Sequence, residues 1–277
     1  MKCCDLHTHS MYSDGSFSPA ALVKMAEEAD LGAIALTDHN TAAGLPEFMA
    51  AGAKSRVTAV AGCEFSTEHN GRELHVVGLF FSEDAWPEIT DFVELLRVAK
   101  DNSNRRLIEA LRADGYDVSY EEAASLTDSD VFNRAHVARV LVRKGYFDNI
   151  DAAFGKLLKE GKGYYTPAKR LDPFLTIKFI KMHGGKAVLA HPFLSLDDAG
   201  LRAFLPLACE AGLDALETRY SLFDEETTRQ AEALATEFGL LQSGGSDFHG
   251  FAKPDIKVGT GTGSLAVPLE FYETLRN

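Results

Sequence analysis

Residues 1–15 read MKCCDLHTHSMYSDG, and the alternation inside that stretch governs the fold. Asp5, His7 and His9 stand two residues apart, and Asp14 follows just ahead of a glycine. Residues i and i+2 of an extended chain face the same side. A strand over 2–6 that persists a little further therefore brings His7 and His9 to one point. A buried first strand has no use for ionisable side chains at its end unless something there compensates them.

The arrangement recurs after nearly every later apolar run. AIALT (33–37) leads into Asp38 and His39, VTAVAGCEFS (57–66) carries Glu64, and ELHVVGLFF (73–81) contains His75. KAVLA (186–190) runs into His191-Pro192, DALET (214–218) contains Glu217, and LQSGG (241–245) precedes Ser246, Asp247 and His249. Helical patterns lie between these runs, at 19–31, near 198–211 and over 224–238; the first has Pro19 at its start and Gly32 as its stop. The polar turn EHNG (68–71) joins two of the strands as a hairpin. Strands alternating with helices predict an α/β barrel or layered sheet. In such sheets the carboxyl ends of the strands share one rim, and sites form there.

Desolvating an isolated acid or imidazole costs several kcal/mol. Many of them converging without lysine partners predicts bound cations. Nitrogen and carboxylate ligands without thiolates suit zinc, manganese or iron, and a bridging carboxylate holds two such ions roughly 3.5–4 Å apart. Cys3, Cys4, Cys63 and Cys209 lack CxxC spacing and sit in apolar surroundings. They read as reduced core residues, which places the chain in the cytoplasm.

Composition excludes several other classes. Of 277 residues, 45% are apolar and 25% charged, an ordinary globular mixture. No apolar run approaches 18 residues, and a polar cluster by residue 7 leaves no room for a signal peptide. The net charge of -13 argues against gripping long duplex nucleic acid by its phosphates. The balance is uneven: residues 96–170 hold 14 Lys+Arg against 11 Asp+Glu, and the remainder 14 against 30. The same 96–170 segment is helical throughout, with no strong β run. It reads as an inserted helical subdomain between 1–95 and 171–277.

In order along the chain, DLHTHSMYSDG, LTDHN, GCEFS, the His75 strand, AHP and GGSDFHG resemble the motifs of the PHP domain, named for polymerase and histidinol phosphatase. The resemblance covers about 1–95 and 171–260. It implies a distorted (β/α)7 barrel with two or three divalent ions on its C-terminal rim, manganese foremost, with iron, zinc or magnesium as alternatives. By that resemblance His7, His9, Glu64 and Asp247 hold the first ion. Glu64 bridges to a second, held also by His75 and His191, and Asp14, His39 and His249 take a third. Asp5 and Asp38 are then expected to orient imidazole rings.

Ions so held lower the pKa of bound water and clamp a phosphate ester, so the expected reaction is phosphoester hydrolysis by metal-bound hydroxide, with Asp247 at the centre. GGSDFHG is not the nucleophile elbow GxSxG, and KVGTGTGSL lacks the lysine and order of a P-loop. The insert bears on the substrate. Arg134 and His136, two apart at a helix start, can both reach an anion at the helix mouth. Arg139 and Arg143 read as a solvated face opposite Val137, Val140 and Leu141, while Tyr164 and Tyr165 can stack on a base. The insert resembles that of PHP members acting on nucleotides. This implies phosphate binding by Arg134 and His136, aided by Lys169 or Arg170, on a small phosphorylated nucleotide or short oligonucleotide. His136 is the candidate proton donor to the leaving oxygen, with metal-bound water as the alternative. Asp38 would orient His39 or accept a proton from the attacking water.

The expected activity is removal of the 3'-phosphate of nucleoside 3',5'-bisphosphates. The alternatives are a 5'-3' exonuclease on short RNA, a histidinol-phosphate phosphatase, and a non-catalytic metal-stabilised binding module. No membrane and no obligate protein partner are expected.

Overall fold

Each apolar run bounded by glycine or a polar turn forms a strand in the computed structural model, which describes residues 2–126, 132–159, 161–168 and 170–277. The strands are β1 (Cys3–Asp5), β2 (Ala33–Leu36), β3 (Thr58–His69), β4 (Arg72–Leu79), β5 (Lys186–Leu189), β6 (Ala215–Tyr220), β7 (Leu241–Gly245) and β8 (Val267–Pro268). They form one sheet in the order β7-β6-β5-β4-β3-β2-β1-β8. β1, β2 and β3 are parallel, as are β5, β6 and β7. β4 runs against both of its neighbours, and this is the distortion of the barrel. Its cause is local. Asn70 and Gly71, at φ 51° and 74°, make the two-residue turn that only Asn-Gly-type pairs adopt without strain.

The sheet closes on itself where β1 meets β7. Leu6 N–H donates to Gly244 O (3.0 Å), Asp247 N–H to His7 O (2.8 Å), and His9 N–H to Phe248 O (2.9 Å). Seven strands make this ring, and β8 lies outside it, antiparallel on β1. The eighth strand is only two residues long: Val267 and Pro268 pair with β1 before the helix Leu269–Arg276 begins. Gly245 makes the closure possible. A Cβ there would stand 2.3 Å from His7 Cβ and 2.5 Å from His7 N.

Apolar side chains from around the ring, among them Leu6, Ala35, Val60, Val77, Val188 and Ala215, form one buried cluster with Tyr272 and Leu275 of the last helix. The outer helices begin where a side-chain oxygen caps them. Ser18, Asp172, Asp197 and Asp224 accept from Ala21, Leu175, Gly200 and Thr227 N–H respectively. Each such cap contributes about 1 kcal/mol. Together they help fix the ends of the loops between strand and helix.

The chain divides into two compact units, Met1–Asp91 with Leu171–Asn277, and Phe92–Arg170. The second unit is helical, with most of Trp86–Ala113, then Tyr120–Ala124, Arg134–Arg143 and Ile150–Ala153, which runs on into a π turn, Phe154–Leu158. Its own core gathers Leu107, Leu111, Phe132, Val137, Leu141 and Leu157. On the helix Arg134–Arg143 the residues Val137, Val140 and Leu141 are buried while Arg139 and Arg143 are exposed.

Candidate metal centre

Glu64, fully buried on β3, is the hub of the rim. Its Oε2 lies 3.1 Å from His7 Nε2, 3.1 Å from His9 Nε2 and 3.2 Å from His39 Nδ1. Its Oε1 lies 2.7 Å from His75 Nδ1 and 3.1 Å from His191 Nε2. Burial alone would raise this carboxyl, but His39, His7 and His75 outweigh it and hold Glu64 well below the usual carboxylate range. Burial likewise opposes charge on His7, yet Glu64 and Glu217 lift its imidazole well above the ordinary value. His75 is raised to about 9 against its burial by Glu64, whereas burial prevails at His39 and lowers it to about 4.

Among the described residues, three overlapping groups of potential ligand atoms result. The first is His7, His9, Glu64 and Asp247; the second is His39, Glu64 and His75; the third is His9, Asp14, His39 and His249. In the first, Asp247 Oδ1 is 3.2 Å from His9 Nε2 and 3.7 Å from His7 Nε2. An ion with four ligands at about 2.0–2.2 Å leaves those ligand atoms roughly 3.3–3.6 Å apart, so the spacing fits a divalent cation. In the third, His249 Nε2 is 3.2 Å from Asp14 Oδ1, and the Asp14 side chain is 55% exposed, which makes this group the open one. His191 stands beside the second group through its contact with Glu64 Oε1, while the His39 ring reaches from the third group into the second.

Six buried atoms of the cluster make no hydrogen bond: His7 Nε2, His9 Nδ1, His9 Nε2, His39 Nδ1, Glu64 Oε2 and His191 Nδ1. An unsatisfied buried polar atom costs about 1–3 kcal/mol. Several aimed at one place is the arrangement a cation satisfies. The thiols do not contribute, since burial pushes Cys4 and Cys63 far above the range in which a thiolate forms.

The groups behind the ligands differ from expectation. Asp5 accepts from Ser246 N and Oγ (2.8 and 2.6 Å) and Gly259 N (2.8 Å). Asp38 accepts from Ser10 N and Oγ (2.7 and 2.6 Å) and Ser13 Oγ (2.6 Å). Neither holds a ring, as expected of both, and Asp38 neither orients His39 nor faces the ligand groups. Adjacent residues of an extended segment point to opposite sides, so Asp38 braces the 10–13 loop while His39 turns to the cluster. The carboxylate that does hold a ring is Glu217. Its Oε1 accepts from His7 Nδ1 (3.1 Å) and its Oε2 from His191 N–H (2.6 Å). With the proton on Nδ1, the His7 Nε2 lone pair faces the first ligand group, as in a carboxylate–histidine–metal arrangement. His249 is set the same way, Nδ1–H donating to Asp247 O at 2.8 Å. Replacing Glu217 with glutamine leaves one acceptor for two donors. Affinity for the ions should then fall roughly 10–100-fold, read by competition with a chelator of known strength; unchanged affinity would remove Glu217 from this role.

Two residues of the cluster come from strained backbone, His191 at φ 27° and Asp247 at φ 55°. Such conformations cost about 1–3 kcal/mol and gather at functional sites. Asp247 is further held through its other oxygen: Tyr220 Oη (2.9 Å) and Lys253 Nζ (2.6 Å) both donate to its Oδ2, leaving Oδ1 for the cluster.

In the second unit, the Arg134 guanidinium donates to Leu158 O (3.0 Å) and lies 4.0 Å over the Tyr165 ring. Tyr164 Oη donates to Asp114 Oδ2 (2.6 Å). Both tyrosines are thus engaged within the unit. His136 Nδ1 accepts from Asn133 N–H in a capping box, which puts the proton of the neutral ring on Nε2. Arg170 is exposed, and Lys169 lies outside the described residues.

Comparison with known proteins agrees with this geometry. The profile of the PHP domain matches residues 5–166. The chain is 32% identical to a 5'-3' exoribonuclease of Haemophilus influenzae, over 88% of this chain and 89% of that protein. It is 29% identical to a 3',5'-nucleoside bisphosphate phosphatase of Chromobacterium violaceum, over 88% and 86%. A solved structure of an amidohydrolase from Chromobacterium violaceum, with bound sulfate and no metal, is similar over 99% of this chain and 95% of that one, at 27% identity and a TM-score of 0.74.

Proposed function

As a member of the PHP domain family this chain is a metal-dependent phosphoesterase, and we propose that it removes the 3'-phosphate of nucleoside 3',5'-bisphosphates. The observation that carries the phosphoesterase chemistry is the convergence of unsatisfied imidazole and carboxylate atoms around Glu64. Divalent ions bound there supply Lewis acidity, which acidifies water and neutralises phosphoryl oxygens. The protein holds the ions through His7, His9, Asp14, His39, Glu64, His75, His191, Asp247 and His249. Two or three ions, manganese foremost, suit the three overlapping groups. Glu217 and Tyr220 hold His7 and Asp247 in line, so little reorganisation is left for the moment of reaction. Arg134, His136, Lys169 and Arg170 of the second unit form the proposed anion-binding set, with Nε2–H of His136 as the hydrogen-bond donor to the leaving oxygen.

A nucleoside substrate is supported from within the barrel as well. Phe251 is 79% exposed two residues after His249. Its ring rests on Phe17 (5.2 Å), which in turn rests on the buried Phe248 (5.8 Å). The segment is pinned by Ser16, whose Oγ accepts from Phe251 N–H and donates to His249 O, both at 2.9 Å. A braced, exposed ring beside the cluster offers a face for a base, and such stacking is worth about 1–3 kcal/mol. Phe251→Ala should therefore raise KM for a nucleoside bisphosphate about tenfold and leave glycerol phosphate hydrolysis unchanged. Equal effects on both substrates would remove the stacking face.

The second reading, 5'-3' trimming of short RNA, is favoured by the 32% identity to an exoribonuclease. One screen separates the two. Manganese-loaded protein is given adenosine 3',5'-bisphosphate, a 5'-phosphorylated dinucleotide, histidinol phosphate and a cyclic dinucleotide, and products are weighed by mass spectrometry. The proposal expects fastest release of orthophosphate from the bisphosphate. Fastest release of a mononucleotide from the dinucleotide selects the exonuclease, and preference for histidinol phosphate overturns both.

A further inference from the structure

Lys253 has no part in substrate binding above, yet its ammonium touches the carboxylate of Asp247. Nζ lies 2.6 Å from Asp247 Oδ2, on the oxygen that also takes the Tyr220 hydroxyl. Tyr220 is buried and its hydroxyl already satisfies that oxygen from inside. The lysine side chain is 36% exposed, so the ammonium sits between Asp247 and solvent. A lysine head carries three N–H donors and no acceptor, and only one can go to Asp247 along that contact. Among the described residues the ammonium has Asp247 as its recorded acceptor, which leaves donors for a bound anion.

The position is built rather than loose. Lys253 ends the turn Gly250–Ala252, its N–H bonded to Gly250 O (3.0 Å) and its carbonyl accepting from Ile256 N–H (3.1 Å). Ser16 ties the start of that turn to the loop carrying Asp14. Asp14 and Asp247 carry negative charge at this rim, in a chain of net charge -13. A phosphate ester entering beside them needs positive charge on the flank its metal-facing oxygens do not reach.

We propose that Lys253 contacts a non-bridging phosphoryl oxygen of the substrate while tethered to Asp247, so that one residue couples the ligand carboxylate to the anion. The proposal rests on phosphoester chemistry at this site but not on the nucleoside, because its test uses a probe without one. Inorganic phosphate is titrated calorimetrically into manganese-loaded wild type, Lys253→Met and Lys253→Arg, with metal per chain and melting temperature measured on the same samples. Hydrogen bonds to charged groups are strong enough that the methionine variant should bind phosphate roughly 10–100-fold more weakly at unchanged metal content. Arginine should restore binding to within about fivefold of wild type, because the charge is kept. Wild-type phosphate affinity in Lys253→Met overturns the proposal. So does a loss of phosphate binding that merely follows a loss of metal, which would confine Lys253 to holding Asp247.

Discussion

Asp247→Asn is expected to lower turnover by about three orders of magnitude or more while the protein stays folded. The substitution removes one negative charge from the first ligand group, where Asp247 Oδ1 faces His9 and His7 at 3.2 and 3.7 Å. It also leaves the amide badly matched to its surroundings. Tyr220 and Lys253 both donate to Oδ2, so an NH2 placed there meets two donors, and an NH2 placed on the other side meets the ions. The backbone, by contrast, tolerates the change. Asp247 sits at φ 55°, in the left-handed region that Asn enters as readily as Asp. Asparagine therefore tests the chemistry, where alanine would add backbone strain. Steady-state phosphate release is the measurement, with circular dichroism and a melting temperature as the check on folding. Wild-type turnover at full metal occupancy would remove Asp247 from the machinery.

Gly245→Ala should have the largest effect on the fold itself. The new methyl would stand 2.3 Å from His7 Cβ and 2.8 Å from His7 Cα, closer than carbon atoms approach. The obstacle is backbone and Cβ, not the far end of a flexible chain, so β7 must move away from β1. That motion opens the ring where Leu6 bonds Gly244 and Asp247 bonds His7. Overpacking at such a seam costs about 3 kcal/mol or more, and the ligands His7 and Asp247 lie directly on it. A lowered midpoint in chemical denaturation, with loss of metal binding, is the expected result. A midpoint equal to wild type would show that the seam is looser than its hydrogen bonds indicate.

Much of the site was legible because its signal is local. A short apolar run ending in an acid or histidine marks both a strand and its rim end, so the sequence alone points to His39, Glu64, Asp247 and His249 as side chains that converge. The Asn70-Gly71 hairpin was equally local, and from it follows the reversal of β4 that sets His75 against Glu64. What could not be read depends on neighbours in space. Glu217 holds His7 because β6 adjoins β7, which in turn meets β1, a pairing 210 residues apart in sequence. Asp38 was given the ring-holding role beside His39, although adjacency along a strand sends side chains to opposite faces, and Asp5 is taken up by Ser246 and Gly259, more than 240 residues away in sequence. Lys253 lies in a turn with no periodic pattern, and only the folded loop brings it to Asp247. The eighth strand, two residues long, is shorter than any periodicity can register.

Hydrolysis of a phosphate ester by divalent ions caged at the rim around Glu64 underlies every expected result. It is tested most directly by stripping the protein with a chelator, adding manganese back in steps, and following bound metal per chain together with phosphate release. Release should vanish in the stripped protein and return in proportion to ions bound, levelling at two or three per chain. Undiminished release from protein shown by mass spectrometry to carry no metal would contradict it.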